Sequence, residues 1–233
     1  MLHPSVIIVI CFAGMLCVAP VAFYLCWLAS VNRRTQPTVV SGGWDFAGVL
    51  AALSGFLLVG GILLLTIVQS DPRLFSRGNF NDLKGVFERQ WRYWLIVFIG
   101  YVGTVGALAV SGIRRRATSL SVYNVDVESV DEAIDEALKQ AGLSATRHGN
   151  LWSDQRKLVD VVPFHGTCHA TIHILVPHQQ QQAEIERHLR ARLQLCSSPL
   201  NPAATWISAL AVGSVLTVVL FVALMMYILY VRL

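Results

Sequence analysis

The hydrophobic positions of this chain fall into four long runs, Val6–Ser30, Phe46–Gln69, Tyr93–Ile113 and Ala204–Tyr230, and one polar block, residues 117–200, separates the third from the fourth. An α-helix rises 1.5 Å per residue, so about 20 mostly apolar residues cross the hydrocarbon core of a bilayer. Every run is long enough. The pattern predicts an α-helical integral membrane protein with four transmembrane helices and a small α+β soluble domain inserted between helices 3 and 4. Residues 1–116 form a membrane region with spans at about 6–30, 46–69 and 93–113. Residues 117–200 form the soluble domain, and residues 201–233 carry the fourth span.

Within the polar block the period changes. Ser119–Val127 alternates as a strand. Ser129 and Glu132 fit a capping box ahead of a helix whose apolar stripe is Val130, Ile134, Leu138 and Ala141, stopped at Gly142. Ser144–Trp152, Lys157–Phe164 and Cys168–Val176 read as strands, with turn signals at Gly149-Asn150, Asp154-Gln155 and His165-Gly166. A second helix is predicted from about Gln179 to Leu195, with Ile185, Leu189 and Leu193 four residues apart. This order resembles part of a split βαβ sandwich, with a small antiparallel sheet and two helices on one face.

Composition supports the membrane reading, since only 14% of residues are charged and 55% are hydrophobic, against about 25% charged in soluble domains. The net charge of +4 comes from Arg and Lys beside the apolar runs. No basic face with interleaved aromatics is present, so nucleic acid is not an expected partner. Arginines follow the first run instead of preceding it, which predicts an uncleaved helix with its N-terminus outside. Arg33, Arg34 and the Arg114-Arg115-Arg116 triple then place the soluble domain in the cytoplasm and both termini outside. Pro20 predicts a kink in the first helix.

Two features of the membrane region suggest contacts. Leu83, Val86, Phe87, Trp91 and Trp94 recur at helical spacing, predicting an interfacial amphipathic helix at about 82–92 that runs into the third span. Arg89, Trp91, Arg92 and Trp94 are its candidate lipid or partner contacts. In the third span Gly100, Gly103 and Gly106 form a small-residue strip of the kind that lets helices approach closely, either within this protein or against another subunit. The spans carry ionisable groups only at their edges, which argues against an ion-coupled transporter.

Candidate chemistry centres on residues 165–173. On a strand His169, Thr171 and His173 share one face, and the two histidines offer a metal site, with His165, His148 or His178 completing the set. The alternative is a half-buried strand with Cys168, Ala170 and Ile172 inward. Cys168 and Cys196 are the two cysteines outside the spans. Arg147 and Trp152, around a tight turn, offer a ligand or partner contact, or equally a hydrogen-bonded hairpin. No phosphate-binding glycine loop, Gly-x-Ser-x-Gly elbow or His-Glu-x-x-His motif occurs. Elimination leaves a non-enzymatic membrane subunit, structural, accessory or assembly in role, with no cofactor. Its expected partners are membrane lipids, other integral membrane subunits and a possible second copy. The alternatives are a sensor or metal-handling protein and a small channel or permease.

Overall fold

A computed structural model describes residues 4–69, 80–164, 166–196 and 201–232, with backbone alone for residues 4–6, 61–69, 80–91, 93, 94 and 232 among these. The described residues form six helices and a six-stranded antiparallel sheet. In chain order the elements are α1 (Pro4–Asn32), β1 (Thr38–Ser41), α2 (Gly42–Gln69), α3 (Phe80–Arg115), β2 (Ser119–Tyr123), α4 (Val127–Gln140), β3 (Thr146–His148), β4 (Leu151–Asp154), β5 (Arg156–Phe164), β6 (His169–Ile174), α5 (Gln179–Leu193) and α6 (Ala203–Arg232).

Four helices are long and apolar enough to cross a membrane, over Ile7–Asn32, Gly42–Gly60, Leu95–Arg115 and Ala203–Val231. The segment before the third apolar run continues into it, with α3 running unbroken from Phe80 to Arg115. At 1.5 Å per residue its 36 residues extend to about 54 Å, well past a hydrocarbon core of about 30 Å.

The chain divides into two compact units. One comprises residues 1–24, 49–111 and 212–233, and the other residues 25–48 and 112–211. In the first unit α1 meets α2 at Gly55, where an added Cβ would collide with the backbone of Leu16, and meets α6 where Phe221 lies 2.7 Å from the position of a Cβ on Gly14. Tyr101 of α3 donates to the Leu57 carbonyl of α2 at 2.5 Å.

The second unit holds the sheet, in the order β1-β2-β6-β5-β4-β3. One face is packed by α4 and α5. Val130, Ala133, Ile134, Ala137 and Leu138 of α4 and Ile185, Leu189 and Leu193 of α5 are buried. They meet Leu120, Val122, Val159, Val161, Ile172 and Ile174 from the strands in one core. Ion pairing of Arg192 with Glu136 at 2.8 Å ties the two helices together.

Several local expectations are corrected. The helix after β2 starts two residues before the capping box, with Asp126 as its N-cap accepting from the Val127 N–H at 2.9 Å. A carboxylate at this position both satisfies an orphan N–H and faces the positive end of the helix dipole. β2 ends at Tyr123 because Asn124 adopts φ 58°, a left-handed conformation that Asn tolerates and that breaks the ladder. The segment 144–152 is a hairpin of β3 and β4 turning at Gly149, not one strand. β6 begins at His169, since Cys168 also stands at positive φ. Cys168 and Cys196 are free thiols.

The largest departure is β1. Residues between the first two apolar helices pair with β2 through Thr38↔Tyr123 and Val40↔Ser121, so the sheet draws one edge strand from outside the polar block.

Candidate functional site

Antiparallel register builds a polar surface on the sheet face opposite α4 and α5. Side chains two apart on a strand share a face, and directly opposed residues on neighbouring strands become close neighbours. Tyr123, His169 and Phe164 are opposed across β2, β6 and β5. Ser121, Thr171 and Val162 form the next row, and Ser119, His173 and Asp160 the third. The His169 ring stacks between its neighbours, with centroids 4.5 Å from Tyr123 and 5.0 Å from Phe164.

All five residues of β2 are buried, which requires cover on both faces. Leu120 and Val122 enter the helix-packed core. On the other face the cover comes from residues at the ends of apolar helices. Asp45, in the first turn of α2, accepts from Ser121 Oγ at 2.7 Å and from Tyr123 Oη at 2.5 Å. Trp27 of α1 meets the Tyr123 ring edge-on at 6.0 Å. Asn201, just before α6, donates to Asn32 Oδ1 at 2.6 Å and to the Thr167 carbonyl at 2.9 Å, and its own Oδ1 accepts from the Ala203 N–H. Both asparagines are buried. The Asn124 amide donates to the Arg34 carbonyl.

Between this face and the start of α2 lies a cavity of about 250 Å³, lined by Ser119, Ser121, Val162, Phe164, His169, Thr171 and His173 together with Gly42, Asp45 and Arg116. Arg116 forms no ion pair among the described residues, and its guanidinium lies 4.4 Å over the Phe46 ring. Ser119 Oγ donates to the Arg116 carbonyl at 2.9 Å. His169 Nε2 is buried with no hydrogen-bond partner among the described residues. Burial holds the His169 imidazole below its ordinary range, against the pull of the Asp45 carboxylate. The hydroxyls of Ser119 and Ser121 are committed to hydrogen bonds within the fold, so the polar lining residues left to meet a charged or polar group are Arg116, Thr171 and His173.

His169, Thr171 and His173 do share a half-buried face of β6, with Ala170, Ile172 and Ile174 buried on the other. His165 lies outside the described residues, and no group of three metal-binding side chains occurs among those described. Trp152 is buried, its Nε1 donating to Asp135 Oδ1 at 2.5 Å, and Arg147 pairs with Asp131 at 2.5 Å while lying 5.1 Å over the Trp152 ring. Burial raises the Asp131 carboxyl against the lowering effect of Arg147. The hairpin is therefore hydrogen-bonded into the core.

Arg92 is exposed, whereas the side chains of Arg89, Trp91 and Trp94 lie outside the described residues. Around Gly100, Gly103 and Gly106 no described atom outside their own stretch of helix stands within 4 Å of an added Cβ, so no other described element packs against these positions. No motif or spacing in the sequence marks Tyr123, Asn32 or Asn201 as site residues. Only Asp45 carries a signal, as the single acid within Gly42–Gln69. No protein-family model matches the chain, and no curated protein or solved structure shows a significant match to it.

Proposed function

We propose that this chain is a non-enzymatic integral membrane protein, a structural, accessory or assembly subunit of a larger membrane complex, whose α+β domain docks a partner. The observation that carries this reading is the third apolar helix. No residue of Leu95–Arg115 is buried, and its three regularly spaced glycines face open space among the described residues. Lipid tails pack as well against Leu as against Gly, so close helix approach is what a glycine strip contributes in a membrane. A neighbouring helix from another subunit uses that strip. The α+β domain lies on the cytoplasmic side in this reading, with Arg33, Arg34 and Arg114–Arg116 obeying the positive-inside rule.

The test is extraction in mild detergent, affinity isolation and mass spectrometry of co-purifying proteins, for the natural chain and for Gly103→Leu. Stoichiometric membrane partners that are lost from Gly103→Leu support the proposal. A lone chain or a homo-oligomer would sink it.

A further inference from the structure

Gly42 opens one apolar span and Arg115 closes another. The cavity bordered by Gly42 and Arg116 therefore lies where membrane-compatible helix gives way to polar chain, the headgroup depth of a bilayer. Its lining includes Arg116, whose guanidinium has no carboxylate partner among the described residues, with Thr171, His173 and the first turn of α2. The first N–H groups of a helix have no intrahelical acceptor and attract anions. Guanidinium presents a planar fork of donors that matches phosphate oxygens. One acid shares the cavity, Asp45, but both its oxygens already accept hydroxyl protons from Ser121 and Tyr123. A volume of about 250 Å³ equals about eight water molecules' share of liquid, room for a phosphate group and its residual hydration.

We propose that this cavity binds a phosphate group, with Arg116 as the principal ligand and Thr171 and His173 beside it. The phosphate comes either from a phospholipid headgroup or from a soluble phosphate. The proposal rests on the apolar helices being membrane spans, and not on the existence of a larger complex. Resistance to alkaline carbonate extraction tests the spans separately, so the two failures are distinguishable.

The experiment uses the full chain, delipidated in uncharged detergent. Phosphatidylglycerol retention is read by native mass spectrometry and inorganic phosphate binding by ³¹P NMR titration. Arg116→Gln should weaken binding roughly tenfold, the size expected for losing one charge-assisted hydrogen bond. Arg187→Gln, remote on α5 and exposed, should leave binding unchanged, and Asp45→Asn should tighten it. Binding of phosphatidylglycerol without inorganic phosphate identifies the lipid source; competition by inorganic phosphate identifies the soluble one. Equal binding by Arg116→Gln and the natural chain, or no binding of either probe, overturns the proposal. Circular dichroism checks that Arg116→Gln folds. If it does not, Arg116→Lys takes its place, and unweakened binding by that variant counts against the fork.

Discussion

The Tyr123 hydroxyl donates to the Asp45 carboxylate at 2.5 Å, joining a strand of the sheet to the first turn of an apolar helix that lies 78 positions earlier in the chain. Ser121 makes a parallel bond to the other oxygen, so one carboxylate fastens two alternate residues of β2. Hydrogen bonds to a charged group contribute about 1.5–3 kcal/mol each when partly buried. Tyr123→Phe should lower stability by roughly that amount. In a double-mutant cycle with Asp45→Asn, thermal unfolding in detergent should show a coupling of more than about 0.5 kcal/mol. Additive losses would mean the bond contributes nothing of its own.

Acid should loosen the same face. His169 titrates below its ordinary range because it is buried, so the unfolded state binds its proton first as pH falls. Stability is then full above the unfolded histidine value of about 6.5 and declines below it, toward the lowered folded value. Midpoints of thermal unfolding measured from pH 8 to pH 5 should fall on the acid side. In His169→Phe, which keeps an aromatic ring between Tyr123 and Phe164, that acid-side loss should be smaller.

Trp152 is fully buried and bonded to Asp135. Truncation to Ala should cost about 3–5 kcal/mol, a large share of the roughly 5–15 kcal/mol that holds a domain folded. Trp152→Phe should cost less, the remainder reflecting the orphaned Asp135 carboxylate. Limited proteolysis of the purified chain distinguishes the two, with the Ala variant cleaved within the sheet region and the Phe variant resistant.

Asn201 satisfies three groups at once, on α1, on the loop before β6 and on its own helix start. Asn201→Ala leaves the buried Asn32 amide oxygen without its partner, a loss of about 1–3 kcal/mol. Asn201→Asp keeps the acceptor for the Ala203 N–H but loses both donated bonds. Its unfolding midpoint should therefore stay below that of the natural chain.

Glycines in the membrane region should divide by position. Gly55→Val drives a side chain into the Leu16 backbone and should cost 1–3 kcal/mol, about the usual cost of overpacking. Gly103→Leu should leave the thermal stability of the isolated chain unchanged. Equal destabilisation by both variants would show that the two glycines share one packing role.

Local pattern made much of this protein legible. Four apolar runs identify the long helices, because length and hydropathy are properties of the residues in order. The stripes Val130, Ile134, Leu138 and Ile185, Leu189, Leu193 mark the faces of α4 and α5 that are in fact buried. Alternation in β6 likewise places His169 and His173 on one face and Ile172 and Ile174 on the other. Boundaries were less legible. Asp126 outcompetes Ser129 as a cap, since a carboxylate caps as well as a hydroxyl and the sequence offers both.

The candidate site could not be assembled from sequence. Val39 and Val40 sit in a short polar loop between two apolar runs, and four residues carry too little period to announce a strand. They become β1 only because β2 presents an unpaired edge to them. Asp45, beside an apolar run, looks like an edge charge until Ser121 and Tyr123 arrive from β2. What the sequence by itself determined is the list of elements and their buried faces, since these follow from the spacing of apolar side chains along the chain. Which elements meet was decided only by tertiary structure. Strand register, the Tyr123–His169–Phe164 stack, the Asn32–Asn201 pair and the Arg116 cavity all join residues distant in sequence, and backbone pairing, not local preference, sets their alignment.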